Sequence, residues 1–219
     1  MIVRELVVDS DTVVGDGGFL TLRRLVLRNR RDDGSLSAPY ICDAVNRPYG
    51  QDAVVVVVYA HIEGKPHVLL RDGLRPAITL GREPDRAPLP EAAPRLFLTE
   101  LVAGILEEDD RGVDGLARRA AAETHEEAGF VVAPADLVAL GAGTLPSPGC
   151  LVEKYYFMAV RVDPRTQGPL AGDGSPMEEG ASTRWLALDA ALAACVSGEL
   201  SDLKTELGLR RLRDHLASG

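Results

Sequence analysis

Residues 120–130 read AAAETHEEAGF. Three carboxylates, Glu123, Glu126 and Glu127, fall within five positions of an otherwise small-residue run, and Gly129 and Phe130 follow at once. Positions i, i+3 and i+4 share one face of a helix, so the three project together. The wider segment 113–128 (VDGLARRAAAETHEEA) is rich in strong helix formers, and Gly129 stands where a left-handed cap would end it. Like charges at this spacing cost a few tenths of a kcal/mol per pair, and the C-terminal end of a helix dipole disfavours them further. Two readings fit the spacing equally: a solvated acidic face, or a cluster whose repulsion a divalent cation relieves. Hard carboxylate oxygens suit Mg²⁺ or Mn²⁺, which keep some waters and bridge to phosphates.

Upstream, AVVVVVYA (53–60) has the apolar continuity of a strand buried on both faces. HVLLRD (67–72), reached through a Glu-Gly-Lys turn, reads as its hairpin partner. Residues 1–45 alternate and turn, which predicts three short antiparallel strands joined by Gly/Asp turns, and RPYGQD (47–52) is a break. GREPDRAPLPEAAPR (81–95) holds four prolines and no apolar period, so it reads as a loop, and LFLTELVAGIL (96–106) returns to strand. Downstream, strands near 137–143 and 154–163 flank a PSPG turn (146–149). An acidic Gly/Pro loop (165–180), a last strand STRWLAL (182–188) and helices near 188–197 and 201–217 complete the chain. Mixed strands with few helices predict an α/β or α+β sandwich.

The bulk numbers bound what such a chain can do. Its 219 residues suit one domain, or one domain with a small appendage. With 46% hydrophobic and 26% charged residues it has the composition of a soluble protein with a real core. A net charge of −9 and a pI near 5.0, without a basic stripe, argue against nucleic acid as a partner. Cys42, Cys150 and Cys195 are odd in number and widely spaced, which suggests reduced thiols. The N-terminus lacks a signal-like apolar run, and the longest apolar stretch is too short to cross a bilayer. The expectation is a cytoplasmic protein that does not bind membranes.

The segment 104–130 (GILEEDDRGVDGLARRAAAETHEEAGF) resembles the box of the Nudix hydrolase superfamily, G-x5-E-x7-R-E-U-x-E-E-x-G-U with U aliphatic. Glu123, Glu126, Glu127, Gly129 and Phe130 match its second half. Three positions depart: Ala122 replaces the arginine that helps hold the acids, Asp114 the first glutamate, and Thr124 an aliphatic residue. The loop after Gly104 is also about four residues longer than the pattern. Arg119, one turn before Glu123, is placed to bridge to it. The flanking RDGLRPAI (71–78), FLTELVAGIL (97–106), PSPG with Glu153 beyond it, and DLKTELGL (202–209) are similar to the ADP-ribose pyrophosphatase branch, which cleaves nucleoside diphosphate sugars.

The resemblance implies a Nudix α/β/α sandwich with a mixed sheet over residues 49–219, preceded by an antiparallel β meander over 1–48 that pairs two subunits. It implies Mg²⁺, with Mn²⁺ as a substitute, held by Glu123, Glu127, Glu126 and the carbonyl of Ala103. The acidic loop would supply a water-activating base, Glu178 or Glu179, and Arg119 would orient the acids. Arg75, Glu100, Ser147, Gly149 and Glu153 would contact a nucleoside diphosphate sugar. Two alternatives are a Nudix-fold binding or regulatory module with lost or weak turnover, and a hydrolase of another nucleotide such as a dinucleoside polyphosphate or coenzyme A.

Overall fold

The structure is a computed structural model and describes residues 3–15, 18–47, 50–89 and 95–218. The chain divides into two compact units. The first comprises Met1–Ala53, Ile105–Glu108 and Gly143–Tyr155; the second comprises Val54–Gly104, Asp109–Ala142 and Tyr156–Gly219.

The first unit is built on an antiparallel sheet of β1 (Val3–Gly15), β2 (Thr21–Arg31) and β3 (Tyr40–Asn46), in that order. The strands predicted over residues 1–45 are present and longer than the short ones expected. Of the Gly/Asp turn between the first two, Asp16 and Gly17 lie outside the described residues. Arginines of β2 cross to acids on both neighbours: Arg28 to Asp9 at 2.6 Å, Arg30 to Glu5 at 2.6 Å and Arg24 to Asp43 at 2.7 Å. Exposed pairs of this kind each add about 0–1 kcal/mol. Leu6, Val8, Val13 and Ile41 remain largely exposed on this sheet.

The second unit carries most of a seven-stranded sheet and the long helices. β4 (Ala53–Ile62) and β5 (Lys65–Leu74) form its centre. Val54 through Val58 are fully buried, as the valine run predicts. The hairpin turns at Glu63 and Gly64, with φ of 51° and 77°. Two successive left-handed residues match the right-handed twist of the flanking strands. The order β10-β5-β4-β9-β8 runs across the sheet, with β9 at Tyr155–Arg161, β8 at Val138–Ala139 and β10 at Ser182–Ala187.

The predicted strand 96–106 is two strands. β6 (Phe97–Glu100) pairs with β5, and β7 (Val102–Ile105) pairs with β4. The break falls at Leu101, whose N–H donates to the buried Thr205 hydroxyl at 2.9 Å instead of to a strand. The strand expected over 137–143 shortens to the two residues of β8, and Gly141 beyond it has a φ of 86°. The loop expected over 81–95 begins after a short helix, α1 (Pro76–Gly81), which sequence reading did not foresee; Pro76 opens it. Residues 90–94 lie outside the described residues.

α2 (Gly112–Ala128) is the predicted helix. Its cap has Gly129 at φ 74°, with Gly129 N–H donating to the His125 carbonyl and Phe130 N–H to that of Thr124. This double closure delivers Phe130 into the core. α3 (Leu188–Ser197) packs on β10 and β5, and α4 (Leu203–Ser218) packs on α3. Gly208 of α4 allows close approach to the sheet, since a Cβ there would lie 2.6 Å from Leu101 Cδ1. The three cysteines are free thiols. Among the described residues no helix is long and apolar enough to cross a membrane.

Candidate functional site

The C-terminal half of α2 presents Glu123, Glu126 and Glu127, and each meets a different neighbour. Glu127 Oε2 accepts from the Ala103 N–H of β7 at 3.0 Å, and its Oε1 lies 3.2 Å from Arg71 Nη1 of β5. Glu123 is buried against Gly104, where a Cβ would lie 1.9 Å from the carboxyl carbon. Only glycine leaves that space.

Arg119 lies 2.8 Å from Asp110 through Nε and 3.9 Å from Glu123 Oε1 through Nη1. The bridge expected from Arg119 to Glu123 therefore exists at long range, with Asp110 the nearer partner. Asp110 is held there because Gly115, in the first turn of α2, lets its backbone pass within 2.4 Å of where a Cβ would be. His125 points away from the acids and is exposed, as its position on the helix requires.

Segment 168–181 covers the end of α2. Gly168 N–H donates to the Gly129 carbonyl at 2.8 Å and Gly172 N–H to that of Glu126 at 3.0 Å. Within it the 3₁₀ turn Pro176–Glu178 is capped by the Ser175 hydroxyl. The turn sets Glu178 between Arg71 Nη2, at 3.3 Å, and the Asp173 N–H, at 2.5 Å. The segment, the end of α2 and Arg71 of β5 line an open cavity of about 540 Å³ whose charged residues are Arg71, Glu126, Glu127, Glu178 and Glu179. Its charged residues are thus one cationic and four acidic. The Glu179 carboxylate has no hydrogen bond or ion pair among the described residues.

Burial, more than charge imbalance, sets the state of Glu123 and Glu127. Burial, reinforced by Glu127 and Glu126 and opposed by Arg119, pushes the Glu123 carboxyl up from its ordinary 4.5 to about 8. Burial also raises Glu127, against the pull of Arg71 and the Ala103 N–H. A carboxyl raised on folding stabilises the folded state while protonated in both states and loses that advantage as pH climbs from 4.5 towards 8. In chelator, the Tm is therefore expected to fall as pH rises from about 5 to 8. Glu123→Gln should remove part of that fall. An equal slope in Glu123→Gln and the parent protein, followed by circular dichroism, contradicts it.

Hard, clustered and under-neutralised oxygens are the donor set a divalent cation takes, so the residues fit such an ion chemically. Their present arrangement is not a ready-made cage. Among the described residues no three acids, histidines or cysteines converge on one point, and Glu127 is turned to Arg71 and the Ala103 N–H.

No known family profile matches the sequence, and no curated protein matches it. Comparison of structures is decisive for the fold. A solved structure described as an ADP compounds hydrolase aligns with 100% of this chain and 97% of its own, with a TM-score of 0.69 and 14% identity. The fold is that of the Nudix hydrolases. A C. elegans Ap4A hydrolase in a binary complex aligns with 77% of this chain and 98% of its own (TM-score 0.47, 16% identity). The NUDIX domain of Shewanella oneidensis NrtR, complexed with ADP ribose, aligns with 75% of this chain and 87% of its own (TM-score 0.46, 14% identity).

Within this Nudix fold the other expected residues fall into separate groups. Glu100 is 1% exposed and is ion-paired with both Arg75 and Lys204, and Lys204 lies 2.9 Å from Asp202. Neither Arg75 nor Glu100 lines the cavity. Ser147, Gly149 and Glu153 belong to the first unit. There the Ser147 carbonyl accepts the Cys150 and Leu151 N–H groups, and Glu153 pairs with Arg47. The residues sequence reading missed are Arg71 and Lys204. The signal for Arg71 was a charge ending an apolar strand (HVLL-Arg71), where only a partner in the fold could keep it 3% exposed.

Proposed function

We propose that this protein hydrolyses the pyrophosphate bond of ADP-ribose or a related nucleoside diphosphate sugar, with Mg²⁺, giving a nucleoside monophosphate and a sugar phosphate. The observation that carries this reading is the cavity at the end of α2, lined by four carboxylates and one arginine. A lining so negative repels a diphosphate unless cations come with it, and Mg²⁺ or Mn²⁺ bridges carboxylates to phosphate oxygens. When bound, the ions would neutralise the diphosphate and lower the pKa of coordinated water. Glu123 and Glu127 would be the principal ligands, Glu126 a further one, directly or through water, and the Ala103 carbonyl another.

The chain's own residues then position and move a proton. Water forms a bond to one phosphorus, the bridging P–O bond breaks, and the leaving phosphate keeps the bridging oxygen. Glu178 is engaged by Arg71 and the Asp173 N–H. Glu179 therefore has the carboxylate better placed to take the proton of the attacking water. Arg119 orients Glu123 through the long contact beside Asp110. Arg75, Glu100, Ser147, Gly149 and Glu153 remain proposed substrate contacts. For Arg75 and Glu100 this role requires the substrate to replace an existing ion pair. The exposed apolar residues of β1 and β3 support a homodimer formed through the 1–48 meander, and the setting proposed for it is cytoplasmic. Light scattering at twice 23.4 kDa would agree with it, and a monomer mass would not.

A second reading, a nucleotide-sugar binding module without turnover, is favoured by Ala122 in the box and by the engagement of Glu127 with Arg71. The experiment is product release from ADP-ribose, UDP-glucose, GDP-mannose and diadenosine polyphosphates with Mg²⁺, Mn²⁺ or EDTA. Chelator-sensitive cleavage of a sugar nucleotide is the expected result. Tight binding of one without cleavage selects the module.

A further inference from the structure

Arg71 lies near the end of β5 with its side chain 4% exposed. Its Nη1 lies 3.2 Å from Glu127 on α2, and its Nη2 lies 3.3 Å from Glu178 on the turn Pro176–Glu178. The Nε–H has no acceptor among the described residues, and the ion-pair partners of the guanidinium among them are Glu127 and Glu178. Gly73 makes room for it. The two residues share one face of β5, and a Cβ on Gly73 would lie 2.6 Å from Nη1. Arg71 is also the one cationic residue among those lining the cavity.

We propose that Arg71 is a positioning residue of this site. Its planar fork holds two carboxylates from separate elements at a fixed separation. It sets the rotamer from which Glu127 meets a divalent cation and ties segment 168–181 against the end of α2. A lysine is a point charge on a flexible stem and cannot span both carboxylates in one fixed geometry, so the fork itself matters. The box position at Ala122 offers no side chain for this task, and β5 supplies it from a different part of the chain. The inference rests on the hydrolase reading above, and its test separates the two.

Three variants serve: Arg71→Met removes the fork, Arg71→Lys keeps the charge, and Gly73→Ala displaces the guanidinium while keeping it. Three quantities are measured on each: kcat and KM for ADP-ribose with Mg²⁺, Mn²⁺ affinity from the paramagnetic signal of the free ion, and amide exchange at Gly172 and Asp173. Arg71→Met is expected to lose about 10- to 100-fold in kcat and a similar factor in Mn²⁺ affinity, the range for residues that orient metal ligands. KM should change little and exchange at the two amides should quicken. Arg71→Lys should recover part of the loss, and Gly73→Ala should shift all three in the direction of Arg71→Met.

Wild-type kcat, Mn²⁺ affinity and exchange in Arg71→Met overturn the proposal, as does a wild-type protein that binds no Mn²⁺. If the wild type cleaves no sugar nucleotide, the hydrolase reading fails, and Mn²⁺ affinity and exchange still decide the role of Arg71. If Arg71→Met does not fold, Gly73→Ala carries the test, and unchanged values in that variant overturn the proposal.

Discussion

Glu127→Gln is expected to lose hydrolysis by about 10²- to 10³-fold while keeping its fold. That factor is typical of deleting one preorganised electrostatic contact in an active site. Glutamine keeps the shape of the side chain and an oxygen for the Ala103 N–H, now bonded to Glu127 Oε2 at 3.0 Å. It removes the charge that a cation would use and that Arg71 faces. Stability responds to two opposing changes. Arg71 would lose its 3.2 Å ion pair with Glu127 while keeping Glu178, and breaking one side of a buried pair is destabilising. Burial and Glu100 work against a charge on Glu127, so removing that charge gives part of the loss back. The net change in urea unfolding should stay within about 1–2 kcal/mol. Turnover at the parent rate would show that Glu127 does not serve the chemistry.

Gly104→Ala should be as damaging from the opposite side. No charge changes, yet the new methyl would sit 1.9 Å from both Cδ and Oε1 of Glu123 and 2.5 Å from its Cγ. Glu123 is buried, so its side chain has to leave the site. Overpacking of this kind costs about 1–3 kcal/mol in stability. Displacing a group by about 1 Å can cost about 10²-fold in rate. Gly81→Ala, where a Cβ meets nothing within 4 Å, is the matched control and should leave rate and stability as they are. Similar rates for Gly104→Ala and Gly81→Ala would mean that the position of Glu123 does not matter.

Both variants act on parts of the site that are legible in the amino-acid sequence. The Glu trio followed by Gly129 and Phe130 specifies a helix end, a left-handed cap and a shared acidic face, all local and periodic signals. The valine run of β4 and the Glu63–Gly64 turn are legible for the same reason. What sequence reading missed is set by partners far away in the chain. The split between β6 and β7 depends on Thr205, 104 residues from Leu101. Glu100 is held by Lys204 at the same separation, and Glu178 by Arg71 across 107 residues. No period links such pairs, and a buried arginine cannot be told from a surface one until its carboxylates are in place. Arg119 was legible as a neighbour of Glu123 by helical spacing. Its nearer bond goes to Asp110, in the loop before α2, where helical spacing says nothing.

Cation-dependent hydrolysis can be watched bond by bond in phosphorus NMR of ADP-ribose incubated with the wild-type protein, first in Mg²⁺, then with excess EDTA, then with Mg²⁺ restored. The diphosphate resonances are expected to give way to those of AMP and ribose 5-phosphate, stop changing in EDTA and resume when the cation returns. If the cavity takes a related sugar nucleotide instead, the same sequence of events appears with that substrate. Cleavage that continues in EDTA, or intact diphosphates across ADP-ribose, UDP-glucose and GDP-mannose in Mg²⁺, would contradict it.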